Sequence, residues 1–173
     1  MARLRKFCAY RRLERPYTRV SKYRSKSYVR ARPNCKIVRF VTGDSKGEYP
    51  CTLELRSEKD IQIRDNAIES ARQTSNRYLT KTAGKNAFRI ICRKYPHHIL
   101  RENPLASGAG ADRMSTGMKM SFGKVIGIAA QVRKGEPIFQ VDCNKKDVPA
   151  AKEALRKASM KLPVSCRIIE VAS

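Results

Sequence analysis

A chain of 173 residues with 41% hydrophobic residues is long enough for one domain with a packed core. Its 38 Lys and Arg against 15 Asp and Glu leave a formal charge of +23, a density that repels itself and calls for a polyanionic partner, phosphate backbones being the commonest. No run of roughly 18 apolar residues exists, neither helix candidate sets a basic face against a bulky apolar one, and the start MARLRKFCAYRR has no apolar signal core, so a membrane partner is set aside and a cytoplasmic location is expected.

Residues 1–34 form a basic arm, the first of two expected units. They hold Arg3, Arg5, Lys6, Arg11, Arg12, Arg15, Arg19, Lys22, Arg24, Lys26, Arg30 and Arg32 against the single acid Glu14. Leu4, Leu13, Val20 and Val29 stand alone, so the arm buries too little apolar surface to offset its ordering entropy and is expected to be disordered by itself. Nine of its twelve cations are Arg, whose planar forks pair with phosphate, and Phe7, Tyr10, Tyr17, Tyr23 and Tyr28 can stack on unpaired bases. This composition fits an RNA-wrapping arm better than a targeting sequence or a solubilising tail.

The second unit, residues 35–173, reads as a single α+β domain. Residues 36–41 and 51–57 are strand candidates, separated by a Gly-Asp-Ser-Lys-Gly turn. Ala67, Ile68, Ala71, Ser75, Tyr78 and Leu79 then recur at helical spacing up to Gly84. This helix starts between Asp60 and Asn66; Asn66 with Glu69 resembles a capping box, and Asp60 is the earlier option. A strand through Phe88, Ile90 and Cys92, with Arg89 and Arg93 on its other face, is expected to continue into Ile99 and Leu100. After a long loop come strands over 125–132 and 137–141, a helix through Val148, Ala151, Leu155, Ala158 and Leu162 capped by Asp147, and a closing strand over 166–171. The order β-β-α-β-loop-β-β-α-β predicts two helices layered on a mostly antiparallel sheet.

Residues 102–123, with four glycines and no helical or strand period, read as a flexible functional loop. Small residues let its backbone approach another surface closely, while Arg101, Arg113, Lys119 and Lys124 can reach phosphates around it. The six cysteines have no C-x-x-C pair, so reduced, partly buried thiols are expected and no metal. Gly108-Ala109-Gly110-Ala111-Asp112 lacks phosphate-loop spacing, and His97, His98, Asp112 and Cys92 lie in no recognisable nucleophile turn. No catalytic residue, cofactor or small-molecule substrate is expected.

Three pieces of the loop and its return carry a resemblance: Ala109-Gly110-Ala111-Asp112-Arg113, Thr116-Gly117-Met118, and Phe122-Gly123-Lys124. Together they resemble the signature of the large-subunit ribosomal protein L-ten-e family of archaea and eukaryotes, equivalent to bacterial L-sixteen. Pro96, His98, Arg101 and Asn103 resemble the family's approach to this loop, Ala71-Arg72 with Asn76-Arg77-Tyr78 its first helix, and residues 151–156 with Lys161-Leu162-Pro163 the archaeal second helix and its exit. The end at Ser173 resembles archaeal members. Val125, Ile128 and Gln131 depart from positions where the family commonly has Pro, Gly, Thr and Arg, so a phosphate contact at Gln131 is weakened or supplied elsewhere.

The resemblance implies a structural constituent of the large ribosomal subunit, bound to large-subunit rRNA near the central protuberance. The 5S rRNA region and neighbouring ribosomal proteins are the further partners in view. It implies that Ala109, Gly110, Ala111, Asp112, Arg113, Thr116, Gly117 and Met118 lie close to tRNA, in a loop approaching the peptidyl transferase centre and helping to place tRNA in the aminoacyl and peptidyl sites. His98, Arg101 and Lys124 join the arm as expected rRNA contacts, with Tyr17 and Tyr23 beside its cations. A DNA-binding architectural protein leaves the glycine loop and the tyrosines without a purpose, and an RNA-modifying enzyme needs a cofactor pocket of which the sequence carries no sign.

Overall fold

Alternating apolar residues make the strands, and helical spacing makes the two long helices. The computed structural model describes residues 6–13, 18, 21–103, 108–110 and 123–171. Along the chain run β1 (Val41–Gly43), β2 (Cys51–Ser57), β3 (Ile61–Arg64), α1 (Asp65–Thr82), β4 (Phe88–Cys92), β5 (His98–Glu102), β6 (Lys124–Val132), β7 (Pro137–Cys143), α2 (Val148–Ser159) and β8 (Cys166–Val171). One sheet has five strands in the order β1-β4-β7-β2-β8, and a second has three in the order β3-β6-β5. Every pairing in both sheets is antiparallel. The class is the expected one, a two-layer α+β domain.

The core forms where both periods point inward. Leu53 and Leu55 of β2, Phe88 and Ile90 of β4, and Phe139 and Val141 of β7 are buried together with Ile68, Ala71 and Leu79 of α1 and Ala151, Leu155 and Ala158 of α2. The helices pack on each other, α2 also on β2, β7 and β8, and α1 also on β3, β4 and β6. Ala83 closes α1 and Gly84 follows at φ +94°, the left-handed turn that glycine adopts without strain. No helix among the described residues is long and apolar enough to cross a membrane.

Several expectations need correction. The strand expected over residues 36–41 does not form along that length, since ladder pairing begins only at Val41, opposite Ile91. The helix begins at Asp65, inside the expected range from Asp60 to Asn66 and not at its earlier option. The Ile61-Gln62-Ile63-Arg64 alternation forms β3 against β6, which delays α1 to Asp65. No capping box forms, because Glu69 is held by the Arg72 guanidinium at 2.6 and 2.8 Å. The Asp65 carboxylate instead accepts the backbone N–H groups of Asn66 at 2.9 Å and Lys36 at 3.1 Å. At α2, Asp147 occupies the cap position without a side-chain cap bond, while Pro149 lies in the first turn as expected. Finally, β4 does not continue into Ile99 and Leu100. The chain leaves the five-stranded sheet after Cys92 and enters the three-stranded sheet at His98, across a segment whose Pro96 has no N–H for a ladder.

One buried charge sits in the middle of the five-stranded sheet. Asp142 of β7, 1% exposed, accepts Thr52 Oγ1 at 2.9 Å, Gln140 Nε2 at 2.8 Å and Arg89 Nε at 2.8 Å. Removing one partner of a buried pair strands the other charge, and the Arg89 side chain, 29% exposed, recovers part of its hydration. Asp142→Ala is therefore expected to lower the unfolding free energy by about 3 kcal/mol, near the bottom of the usual range, as measured by urea denaturation.

Candidate nucleic-acid interface

The three-stranded sheet gathers the two segments singled out by sequence. Its edge strand β3 carries the start of the arm, and its β5–β6 hairpin carries the long loop. The N–H of Gln62 in β3 donates to the Arg11 carbonyl at 3.0 Å, so arm backbone occupies part of an otherwise open sheet edge. The Gln62 side chain, in a residue only 3% exposed, donates through Nε2 to the carbonyls of Tyr10 at 3.0 Å and Arg12 at 2.6 Å. The Arg64 guanidinium lies 5.0 Å from the Phe7 ring centroid and 5.3 Å from that of Tyr10, a cation–π contact with both.

These bonds fix the protonation pattern of His98. Because Gln62 Nε2 faces two carbonyls, Oε1 is its acceptor end, and it takes the His98 ring nitrogen Nδ1 together with Gln131 Nε2 at 3.5 Å. Nδ1 must therefore carry the proton. Burial, then the charges of His97 and Arg101, pushes the half-buried ring down to about 4, so His98 is neutral at physiological pH. Its ring braces the amide that holds the arm.

Beyond this node most of the described arm is exposed. Lys6, Arg11, Arg12, Lys22, Arg24, Lys26, Arg30 and Arg32 all present their side chains to solvent, and among the described residues none of these eight is in an ion pair. Tyr23 is 55% exposed. Val29 turns inward at 6% exposure, packing with Ile99 of β5 and Ile128 of β6. Arg3, Arg5, Arg15, Tyr17 and Arg19 lie outside the described residues.

At the root of the loop, Glu102 pairs with Lys124 and Arg101 with Val125, while Leu100 pairs with Gly127. This register shift leaves one extra residue, Ile126, on β6, a bulge of the kind that re-aims neighbouring side chains. Lys124 is exposed and Arg101 half-buried. Ala109 is exposed, and Gly108, Gly110 and Gly123 have φ of +122°, +86° and +96°, values that side chains rarely adopt. Ala111, Asp112, Arg113, Thr116, Gly117 and Met118 lie outside the described residues.

Five of the six cysteines, all but the exposed Cys8, pack in or against the core. Cys92 and Cys143 are buried and Cys166 partly so, and burial pushes all three up to about 11, leaving them protonated. Among the described residues no three His, Cys, Asp or Glu side chains converge as metal ligands would. Sequence reasoning missed Gln62 and Arg64, the residues that hold the arm. The signal was present in Ile61-Gln62-Ile63: an amide between two β-branched residues of a short strand.

The class of protein is an antiparallel α+β scaffold that docks a strongly basic, tyrosine-bearing arm beside a long hairpin loop, with the charge that a polyanionic partner would meet. Residues 14–169 match the model of the family described as ribosomal protein L16p/L10e, and the chain belongs to that family. It is 47% identical over 167 residues to large ribosomal subunit protein uL16 of Methanococcus aeolicus, covering 96% of this chain and 93% of that protein. The uL16 proteins of Archaeoglobus fulgidus and Staphylothermus marinus are 42% and 44% identical, covering 92% and 89% of this chain and 88% and 85% of their own lengths. These are ribosomal proteins, and the chain is a member of their family rather than an enzyme.

Two outcomes are expected from the Gln62 node. Gln62→Ala removes two bonds to arm carbonyls, each worth about 1 kcal/mol, so tryptic cleavage after Arg11 and Arg12 in the free protein should accelerate roughly ten-fold or more. The folded His98 ring titrates near 4 against an ordinary 6.5, so between those values the unfolded chain binds more protons. Stability therefore rises with pH across that window and is lost as pH falls through it. His98→Gln should flatten this dependence between pH values of about 4.5 and 6.5, read by urea denaturation at each pH.

Proposed function

We propose that the chain is a structural constituent of the cytoplasmic large ribosomal subunit, binding large-subunit rRNA near the central protuberance and helping to position tRNA in the aminoacyl and peptidyl sites. The arm, residues 1–34, is the principal rRNA contact. The domain, residues 35–173, holds the arm in place and extends loop 102–123 toward the peptidyl transferase centre. Ala109, Gly110, Ala111, Asp112, Arg113, Thr116, Gly117 and Met118 are the tRNA-proximal residues in this reading, with Arg101 and Lys124 meeting rRNA at the loop's root. His98 would contribute as a neutral ring rather than as a cation. The protein orients and neutralises; the peptide-bond chemistry belongs to RNA. The 5S rRNA region and neighbouring ribosomal proteins are its further partners.

One observation carries the reading. The arm and the loop, distant in sequence, depart from the same three-stranded sheet, the arm bonded to β3 and the loop joining β5 to β6. One RNA neighbourhood can therefore be gripped by the arm while the loop reaches past it. The eight exposed, unpaired cations give that grip its charge. The names of the archaeal relatives, large ribosomal subunit protein uL16, support the assembly.

If about 6–10 phosphates are neutralised, affinity for the rRNA site should fall by roughly 10³–10⁵ between salt concentrations of about 50 and 200 mM, as measured by filter binding. A flat titration would remove the arm from the interface. Deleting residues 108–118 should leave rRNA binding nearly intact while slowing tRNA accommodation in reconstituted subunits. Normal accommodation in such particles would remove the tRNA role from the loop.

A further inference from the structure

Between residues 21 and 32 the arm folds back on itself without a core. The Ser27 hydroxyl donates to the Ser21 carbonyl and accepts the Ser21 N–H, both at 3.2 Å. The Ser21 hydroxyl accepts the Tyr23 N–H at 3.2 Å, and the N–H groups of Lys26 and Ser27 reach the carbonyls of Tyr23 and Arg24 at 3.0 and 3.2 Å. Small hydroxyls thus close a turn that has few apolar side chains to hold it. Immediately beyond, Val29 buries against Ile99 and Ile128 and pins the exit of the turn to the three-stranded sheet.

These two restraints shape an open cavity of about 400 Å³ bordered by Lys22, Arg24, Arg30 and Arg32. Among the described residues no carboxylate lines it, and none of the four cations is in an ion pair. Four like charges gathered around one concavity repel each other, and an ordered backbone that keeps them there is complementary to a multiply charged anion. Three of the four are Arg, whose planar forks match phosphate oxygens two at a time. Between Lys22 and Arg24 in the chain, Tyr23 has the ammonium groups of Lys22 and Lys26 5.0 and 5.1 Å from its ring centroid, with 55% of the residue exposed. A cation-flanked ring of this kind is a stacking surface for an unpaired base.

We propose that this cavity is a preformed phosphate pocket that takes a bend of an RNA strand, neighbouring backbone phosphates entering among Lys22, Arg24, Arg30 and Arg32 while an adjacent base stacks on Tyr23. The proposal rests on the rRNA-binding reading and deepens it. Part of the arm becomes a localised site, shaped before RNA arrives, in place of a diffuse electrostatic contact.

The full-length protein tests this with inorganic pyrophosphate and an rRNA fragment as separate probes. Pyrophosphate at near-physiological salt should saturably shift the amide resonances of residues 21–32. Arg30→Gln with Arg32→Gln should abolish those shifts, and Lys81→Gln with Lys85→Gln, exposed cations at the end of α1, should not. Ser27→Ala keeps all four cations but opens the turn, and should weaken pyrophosphate binding about five-fold, an effect that a purely electrostatic patch would not feel. With rRNA, the Arg30/Arg32 double variant should lower the slope of log affinity against log salt by about 1.5–2. Steep rRNA binding with an unchanged slope, or pyrophosphate shifts spread evenly over the chain's basic residues, overturns the pocket and leaves rRNA binding standing. A wild-type protein that saturates with pyrophosphate but binds no rRNA overturns the rRNA reading and the RNA occupant together.

Discussion

A buried primary amide on an edge strand must find partners for both its ends, and at Gln62 that requirement organises much of what surrounds it. Its two N–H bonds go to the carbonyls of Tyr10 and Arg12, which leaves Oε1 as acceptor and so selects the Nδ1-protonated form of His98. The backbone N–H beside it takes the Arg11 carbonyl. Three consecutive arm residues are thereby tied to the sheet through one side chain and its own backbone. A single unsatisfied atom in this node would cost more than any one of its bonds contributes, so the arm, the His98 tautomer and the β3 edge hold each other in place.

The node also resolves a tension in the composition. A net charge of +23 drives the chain to expand, and an arm with so few aliphatic residues cannot order itself by burial. The fold answers with two separate attachments, Gln62 near one end of the arm and Val29 near the other, and leaves the described arm cations exposed. Holding the backbone while releasing the side chains lowers the ordering entropy that the proposed RNA contact has to offset. It also places the arm beside the β5–β6 hairpin, because His98 begins β5 and Gln131 lies near the end of β6, both within the node.

Legibility in the sequence followed the strength of local periodicity. The closing strand Cys166–Val171 and the strand Cys51–Ser57 have the bounds that their alternation predicts, and α1 and α2 bury their helical stripes. Failures came where a short element is defined by distant partners. β3 has four residues and is a strand because β6 lies beside it; without β6, Ile61-Gln62-Ile63-Arg64 reads equally well as the entry to α1. The separation of β4 from β5 is likewise a choice of sheet, made by β7 for the one and by β6 for the other, both further along the chain. The cations of the candidate interface were legible one by one from composition. The convergence of four of them around a single cavity was not, since it depends on Ser21–Ser27 bonding and on the burial of Val29.

Gln131 shows how a departure from a family pattern acquires a physical meaning. Read alone, a neutral amide where the resemblance implies an Arg gives up a charged grip on phosphate. In the folded chain its Nε2 turns toward Gln62 Oε1 at 3.5 Å, the longest bond of the node, sharing that acceptor with the uncharged His98 ring. A guanidinium pointed the same way would bring a permanent charge beside a ring already disfavoured as a cation by burial and by its neighbours His97 and Arg101, and would need acceptors that the amide does not. A neutral side chain at this position is therefore consistent with an inward role, bracing the strut that holds the arm. On that account the work of meeting phosphate passes to residues the fold keeps at the surface, and the Arg-rich turn pinned by Val29 is the best-shaped place for it.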